Sequence, residues 1–103
     1  MKLYVIIAKH LAAGLKIAQA CHALRAFVAE HEVIERFWFQ ESNNIVCLEH
    51  EDISGLKERL EEKGYRLSAF YEPDLNDQMT ALCVEPAAAR HLSDLRLAES
   101  RAA

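Results

Sequence analysis

The feature that most constrains the fold is an unbroken apolar run at residues 3–8, LYVIIA, near the start of the chain. A strand with one wet face alternates apolar and polar residues, whereas a strand covered on both faces is apolar throughout. The run therefore predicts a central strand that needs helices on both sides. Apolar residues at helical spacing follow it, including Ile17, Leu24 and Val28, and predict an amphipathic helix that ends near residue 31.

The rest of the chain continues to alternate between strands and helices. Residues 32–40 begin as a helix, and the pattern then predicts a strand at 45–48, a helix between Asp52 and Gly64, strands at 66–71 and 78–84, and a closing helix from Pro86. This order predicts an α/β fold, namely a three-layer α/β/α sandwich with a mixed four-stranded sheet whose last two strands are antiparallel. A two-layer ferredoxin-like domain is the alternative, because its element order differs by one rearrangement.

Length and composition limit what such a fold can do. The 103 residues predict one domain, residues 1–103, and the balance of 51% hydrophobic to 27% charged residues is that of a globular protein. The N-terminal apolar run is shorter than the hydrophobic region of a signal peptide and far shorter than the roughly 20 residues of a membrane span. We therefore expect a cytoplasmic protein without a membrane partner.

Several conspicuous side chains are assigned to the core. The three cysteines are an odd number and lie far apart, so we expect Cys21, Cys47 and Cys83 to be buried free thiols. The aromatic run at 37–39, FWF, is also expected in the core, with a sticky surface for a homodimer as the alternative. The five histidines show no metal-ligand spacing, and we expect neither a metal nor a cofactor.

The charges are unevenly distributed along the chain. The net charge is −4, but residues 1–29 carry Lys2, Lys9, Lys16 and Arg25 and no acidic residue. All 16 acidic residues lie in the remaining part of the chain. A polyanionic partner is therefore expected to meet the N-terminal third.

Two polar residues of the first helix are candidates for a site. At about 100° per residue, Gln19 and His22 fall on the side opposite to the predicted apolar stripe. Ala18, Ala23 and Ala26 lie near them, where a solvated helix would carry Lys or Glu. One interpretation is a face that a substrate approaches closely, since His titrates near neutrality and Gln both donates and accepts hydrogen bonds. The other is a helix packed on both sides, with the two polar groups hydrogen-bonded there.

A second candidate is the polar loop at residues 72–80, EPDLNDQMT, which follows a predicted strand. Small α/β domains place binding and catalytic residues in such loops, although Pro, Asp and Asn also form plain turns. Its carboxylates, Glu72 or Asp74, can orient a water or a histidine for general base catalysis, and Asn76 and Gln78 can bind substrate. The chain has no Gly-rich phosphate loop and no nucleophile elbow, which argues against covalent catalysis.

These segments together resemble a known family. Residues 14–23, GLKIAQACHA, resemble the signature Gly-Lys-x-Ala-Ala-Gln-x-x-His-Ala of the type II peptidyl-tRNA hydrolases. Residues 45–48 are similar to that family's second strand, and 68–72 with 80–86 are similar to its Asp-loop-Thr-strand-Pro ending. The resemblance extends over essentially the whole chain, with Leu15 at the position of the family's Lys.

The resemblance implies a hydrolase that needs no metal and cleaves the ester between a peptide and the 3′ end of tRNA. Carried over residue by residue, it implies roles for Gln19 and His22 of the helix motif, for Glu72 at the acid position, for Thr80, and for Lys9 and His10 near phosphate. We expect His22 and one loop carboxylate to position the attacking water, with Lys16 and Gln19 stabilising the oxyanion or holding the ribose. The alternative is a non-catalytic module of the same fold that binds tRNA, a nucleotide or a protein.

Overall fold

The computed structural model describes residues 1–100. Its helices and strands follow one another in the order β1 (Lys2–Ala8), α1 (Ala13–Glu30), α2 (Glu32–Glu41), β2 (Asn44–His50), α3 (Ile53–Glu62), β3 (Leu67–Glu72), β4 (Gln78–Val84) and β5 (Arg96–Leu97). Two short 3-10 helices, Pro73–Leu75 and Pro86–His91, precede and follow β4.

The strands form one open mixed sheet in the order β3-β4-β1-β2-β5. β1 runs parallel to β2 and antiparallel to β4, and β3 and β5 are antiparallel to their neighbours. Every residue of β1 from Val5 to Ala8 is buried, which confirms a central strand covered on both faces. The α/β class is therefore confirmed, while the predicted count of four strands is wrong by the short edge strand β5.

The helix predicted after β4 is also wrong. Pro86–His91 forms a 3-10 helix, and the chain then turns back so that Arg96 and Leu97 pair with β2. Leu92 is buried beyond the end of the 3-10 helix. The free edge of β2 offers backbone N–H and C=O groups without partners. Pairing with this edge gives hydrogen bonds to the backbone of Arg96 and Leu97 and to β2 at the same time, which another helical turn would not do.

The predicted orientation of α1 is wrong as well. The buried residues of this helix are Lys16, Gln19, Ala23 and Phe27, whereas Ile17 is 68% exposed. α1 packs on β1, β3 and β4. The face of the helix that lies against these strands therefore contacts polar side chains of the sheet as well as apolar ones. The spacing of apolar residues shows that they form a stripe along a helix, but it does not show that the stripe is buried. On α1 the apolar stripe lies beside the buried face.

The predicted ends of α3 are confirmed, whereas the prediction that all three cysteines are buried is wrong for two of them. Asp52 caps α3 by accepting a hydrogen bond from the Gly55 amide at 3.0 Å, and Gly64 has a φ of 86°, as predicted for the start and stop of this helix. Of the cysteines, only Cys83 is buried, while Cys21 is exposed and Cys47 is half-buried.

The aromatic run of α2 is split between core and surface. Trp38 is buried, and its indole N–H donates to the Asn44 carbonyl at 2.6 Å. Phe37 and Phe39 are exposed, against the prediction that they join the core. Neighbours in a helix point about 100° apart, so the burial of Trp38 turns both of them outward.

Within residues 1–100, no helix combines the length and the apolar character that crossing a membrane requires.

Candidate functional site

Three polar side chains from three elements are linked under the N-terminal half of α1. The Gln19 amide nitrogen donates to the Glu72 carboxylate at 2.9 Å, and the Thr80 hydroxyl donates to the Gln19 amide oxygen at 2.5 Å. Gln19 is 1% exposed and Thr80 is fully buried, whereas Glu72 is half-buried. The chain of hydrogen bonds therefore runs from the core to a carboxylate that water can reach.

An irregularity in the sheet positions Thr80. Phe70 pairs with Ala81 and the next residue, Tyr71, pairs with Met79, so Thr80 is an extra residue in β4. Such a bulge changes the alternation of side chains along a strand. Ala81 lies on the face of the sheet that α1 covers, because it pairs with Phe70, which stacks on His22. Strict alternation would place Thr80 on the opposite face, but the bulge lets it contact Gln19 of α1 as well.

Glu72 ends β3 and lies directly before the turn that Pro73 begins. One carboxylate oxygen accepts from Gln19, and the other lies 3.5 Å from the Asp74 amide, too far for a strong hydrogen bond. The Asp74 and Asn76 side chains are exposed on the turn, and Asn76 has a left-handed φ of 54°. Of the two candidate carboxylates, the structure connects Glu72 to the helix motif.

His22 lies one turn further along α1 from Gln19. Its ring stacks on Phe70 of β3 with centroids 4.4 Å apart and planes at 14°. Phe70 and Glu72 are two positions apart on one strand, so their side chains share a face of the sheet. The stacking therefore holds an exposed imidazole on the side of the sheet that carries Glu72.

A second polar pair lies beside this carboxylate. Gln78 pairs with Glu72 in the ladder between β3 and β4, and the side chains of Gln78 and His10 are 2.9 Å apart. The loop before α1 thereby reaches the same end of the sheet. Lys9, its neighbour in that loop, makes an exposed ion pair with Glu51 at 3.4 Å instead.

The structure does not bring Lys16 to Glu72. Its ammonium lies 2.9 Å from Glu49 of β2 and 2.5 Å from Glu99. Because β4 and β1 lie between β3 and β2, Glu49 is three strand spacings, or about 14 Å, from the strand that carries Glu72. Lys16 therefore belongs to a separate ionic cluster under the other flank of α1.

The electrostatics of this ionic cluster follow from its contacts. The hydrogen bond to Glu99, followed by that to Glu49, raises the pKa of Lys16 despite its burial. The hydrogen bond from Lys16, followed by one from the Glu99 amide, lowers the pKa of Glu49. Both groups are thus held in their charged forms, which indicates a structural tie between α1, β2 and the segment after β5.

Two features of these clusters were not predicted. Phe70 could have been found, because the period of two along a strand places it on the same face as Glu72. The partners of Lys16 carried no signal, since Glu49 and Glu99 resemble many other surface acids in the sequence.

No group of three or more His, Cys, Asp or Glu side chains within residues 1–100 is arranged to hold a metal ion. A scan against protein-family models and a search of curated proteins found no match to this chain.

Proposed function

We propose that this protein is a metal-independent ester hydrolase of the type II peptidyl-tRNA hydrolase kind, acting on the bond between a peptide and the 3′ end of tRNA in the cytoplasm. The proposal includes the three-layer α/β/α architecture of that family. Contacts of β1 and β4 with both α1 and α3 support this architecture.

The hydrogen bond between Gln19 and Glu72 carries the proposal. It joins two segments that resemble the family separately and lie 53 positions apart in the chain. Because Thr80 fixes the amide of Gln19 from below, the carboxylate of Glu72 has a defined orientation before any substrate arrives. Such preorganisation is what a general base needs.

In the proposed reaction, Glu72 accepts a proton from a water molecule as the water oxygen attacks the ester carbonyl carbon. The carbonyl oxygen becomes an oxyanion, and the carbon–oxygen bond to the ribose then breaks. The 3′ oxygen of the tRNA leaves with a proton, and the peptide leaves as a carboxylate. The proton from water goes to the Glu72 oxygen that Gln19 does not bind.

His22 serves the leaving group in this proposal. Stacking on Phe70 fixes the ring, and neither ring nitrogen has a hydrogen-bond partner within residues 1–100. A free imidazole nitrogen can donate to the departing ribose oxygen or to the terminal phosphate. In this proposal His10 and Gln78, which lie beside Glu72, bind the nucleotide.

One observation favours a second function, a binding module for tRNA without catalysis. Lys16 pairs with Glu49, and the family's Lys position holds the half-exposed Leu15, so no lysine ammonium among residues 1–100 contacts the side chains of the candidate site. An oxyanion in this site would have to be stabilised without a lysine ammonium, and losing one donor typically costs about 10²–10³ in rate.

The decisive experiment measures release of an N-acylated amino acid from N-acyl-aminoacyl-tRNA by the wild type, Glu72→Gln and His22→Ala, with binding of uncharged tRNA measured in parallel. We expect hydrolysis by the wild type and a loss of about 10²–10⁴-fold in each variant, with tRNA binding retained.

Asp74→Asn is the matched control, because this carboxylate lies on the same turn without a bond to Gln19. It should leave the rate within about twofold of the wild type, a limit set by the small effect expected of a side chain outside the proton transfer. No hydrolysis by the wild type with salt-sensitive tRNA binding would overturn the hydrolase in favour of the binding module.

A further inference from the structure

A small cavity lined by basic side chains lies between α3 and the segment that follows the second 3-10 helix. It has a volume of about 200 Å³ and also reaches the end of β2. Three leucines form its apolar lining, and its polar lining consists of His50, Arg59, Lys63, His91 and Asp94. Because four of these five polar residues are basic, we call it the basic cavity.

The two basic residues that α3 contributes are not paired with acids. Arg59 and Lys63 are four positions apart, so they share a face of the helix, and both are exposed. Among the residues that the structure describes, neither side chain makes an ion pair or a hydrogen bond. Lys57 of the same helix differs, because it pairs with Glu61 at 2.8 Å and does not line the cavity. An anion in the basic cavity would therefore meet two unpaired cations.

The two histidines of the basic cavity each keep one ring N–H group free. The Asp52 amide donates to Nδ1 of His50 at 2.8 Å, so the neutral ring carries its hydrogen on Nε2. The Arg90 guanidinium donates to Nε2 of His91 at 3.4 Å, so that ring carries its hydrogen on Nδ1. Neither of these N–H groups has a partner in residues 1–100. Both histidines can therefore donate to a ligand while they are uncharged.

The charge of the cavity lining favours an anion. Asp94 is the one carboxylate in the lining, against the permanent cations of Arg59 and Lys63, so one positive charge is in excess before either histidine is protonated. A further carboxylate, Asp52, lies with Arg59 beside Gly55 and caps α3. Arg90, which contacts His91, offsets that charge from the other side.

The size and the walls of the cavity limit the ligand. Pockets for drug-sized molecules usually hold about 300–1,000 Å³, so a cavity of about 200 Å³ takes a small group. Its donors come from α3, from the end of β2 and from the 3-10 helix. A planar carboxylate is typically bound by one arginine through two parallel hydrogen bonds, whereas donors from three elements suit the oxygens of a tetrahedral anion.

We propose that the basic cavity binds a phosphate group. Arg59 and Lys63 pair with its negative charge, and the free N–H groups of the two histidines donate to its oxygens. The group belongs either to a free phosphate or small phosphate monoester, or to the backbone of a nucleic acid. His50 ends β2, which is three strand positions from β3 and its Glu72, so the basic cavity is separate from the candidate site. The proposal does not depend on the hydrolase, and either can fail without the other.

The first test is a titration of the full chain with inorganic phosphate at constant pH and constant ionic strength, so that screening of charges does not change. NMR follows the ring nitrogens of His50 and His91. We expect both rings to shift saturably and with the same dissociation constant. If the resonances do not shift, or shift without saturation, the proposal is overturned.

The second test changes the charges of the cavity. Arg59→Gln and Lys63→Gln should each weaken phosphate binding about tenfold or more, because each removes a charged donor from an exposed position. Asp94→Asn removes the opposing carboxylate and should strengthen binding about fivefold.

Lys57→Gln is the matched control, because it removes a positive charge from the same helix outside the cavity. It should leave phosphate binding within about twofold of the wild type, since screening weakens an effect at that distance. Equal losses in Lys57→Gln and Arg59→Gln would show that phosphate responds only to net charge, and the proposal would then be wrong.

The third test identifies the source of the phosphate group with two probes, adenosine 5′-monophosphate and uncharged tRNA. If the ligand is a small monoester, Lys63→Gln should weaken binding of the nucleotide about tenfold and leave tRNA binding unchanged. If the ligand is a nucleic acid, Lys63→Gln should reduce the slope of log tRNA affinity against log salt by about 0.7–0.9. An unchanged affinity of Lys63→Gln for both probes would overturn the proposal.

Discussion

Thr80 and Gln19 lie 61 positions apart in the chain, and the hydroxyl of Thr80 donates a hydrogen bond to the amide oxygen of Gln19 at 2.5 Å. Because both side chains are buried, neither can turn to water when the other is removed. The same bond leaves the amide nitrogen of Gln19 directed at Glu72. The carboxylate of the candidate site is therefore oriented from inside the core.

Replacing Thr80 by Val tests this bond. The change keeps the shape of the side chain and leaves the Gln19 amide oxygen buried without a donor, which should lower the free energy of unfolding by about 1–3 kcal/mol. Urea denaturation measures the loss. Thr80→Ser, which keeps the hydroxyl, should lose less, and equal losses in the two variants would show that packing outweighs the hydrogen bond.

Replacing Lys16 by Met tests the ionic cluster. The side chain of Lys16 is 5% exposed and that of Glu49 is 8% exposed, so removing the ammonium leaves a carboxylate buried without its counter-ion. We expect a loss of about 3–5 kcal/mol in the free energy of unfolding by thermal or urea denaturation.

Two further variants separate the partners of Lys16. Glu99→Gln should cost no more than about 1 kcal/mol, since that side chain is 54% exposed and its ion pair is screened by water. Lys16→Met combined with Glu49→Leu should recover most of the stability lost in Lys16→Met. If the double variant were less stable than Lys16→Met, the unpaired charge of Glu49 would not be the source of the loss.

The ionic cluster also predicts how stability changes with pH. The pKa of Glu49 is below its ordinary value of 4.5 in the folded protein, so acid favours the unfolded state, which binds the proton more tightly. Its contribution is complete above the unfolded pKa and is lost as the pH falls through the lower, folded value. The pKa of Lys16 is raised above 10.5, so its contribution is complete below that value and is lost as the pH rises through the raised one.

Urea titrations of the wild type and Glu49→Gln across the acid range measure this effect. The difference in unfolding free energy between them should be constant near neutrality and should shrink below about pH 4.5. A difference that stays constant from about pH 7 to about pH 3 would show that Glu49 does not titrate differently in the two states.

Replacing Leu15 by Lys tests what the candidate site lacks. Leu15 lies on the flank of α1 that carries His22, about 20° away around the helix, so an ammonium there would face the candidate site. If the protein is a hydrolase, we expect the rate of N-acyl-aminoacyl-tRNA cleavage to rise about tenfold or more through stabilisation of the oxyanion. Ile17→Lys adds the same charge to the opposite flank and should not raise the rate.

The strands that form the centre of the fold could be predicted because their signals are local. The apolar run of β1 can be buried only as a strand covered on both faces. The cap at Asp52 and the stop at Gly64 depend on residues within one helical turn. The short strand β5 carries no such signal. It forms because Arg96 and Leu97 pair with the free edge of β2, and that edge exists only in the folded sheet.

The residues of the candidate site could be predicted from the sequence, but their burial and their contacts could not. The pattern identifies Gln19, His22 and Glu72, but it leaves open whether Gln19 lies on an accessible face or a packed one, and in the structure this residue is buried. Its burial depends on Thr80, which a bulge in β4 turns toward α1, and on where α1 packs over the sheet. Both are tertiary properties, and a periodic pattern in one helix does not contain them.

The order of the strands has a consequence for synthesis. Val5 of β1 lies between Cys47 of β2 and Cys83 of β4, so β1 needs a neighbour that the ribosome makes only after β2 and β3. Until β4 has been made, the apolar run of β1 has one unpaired edge, and such edges pair readily with other chains. The newly made chain is therefore most prone to aggregate before β4 emerges, when a chaperone that covers β1 would help it most.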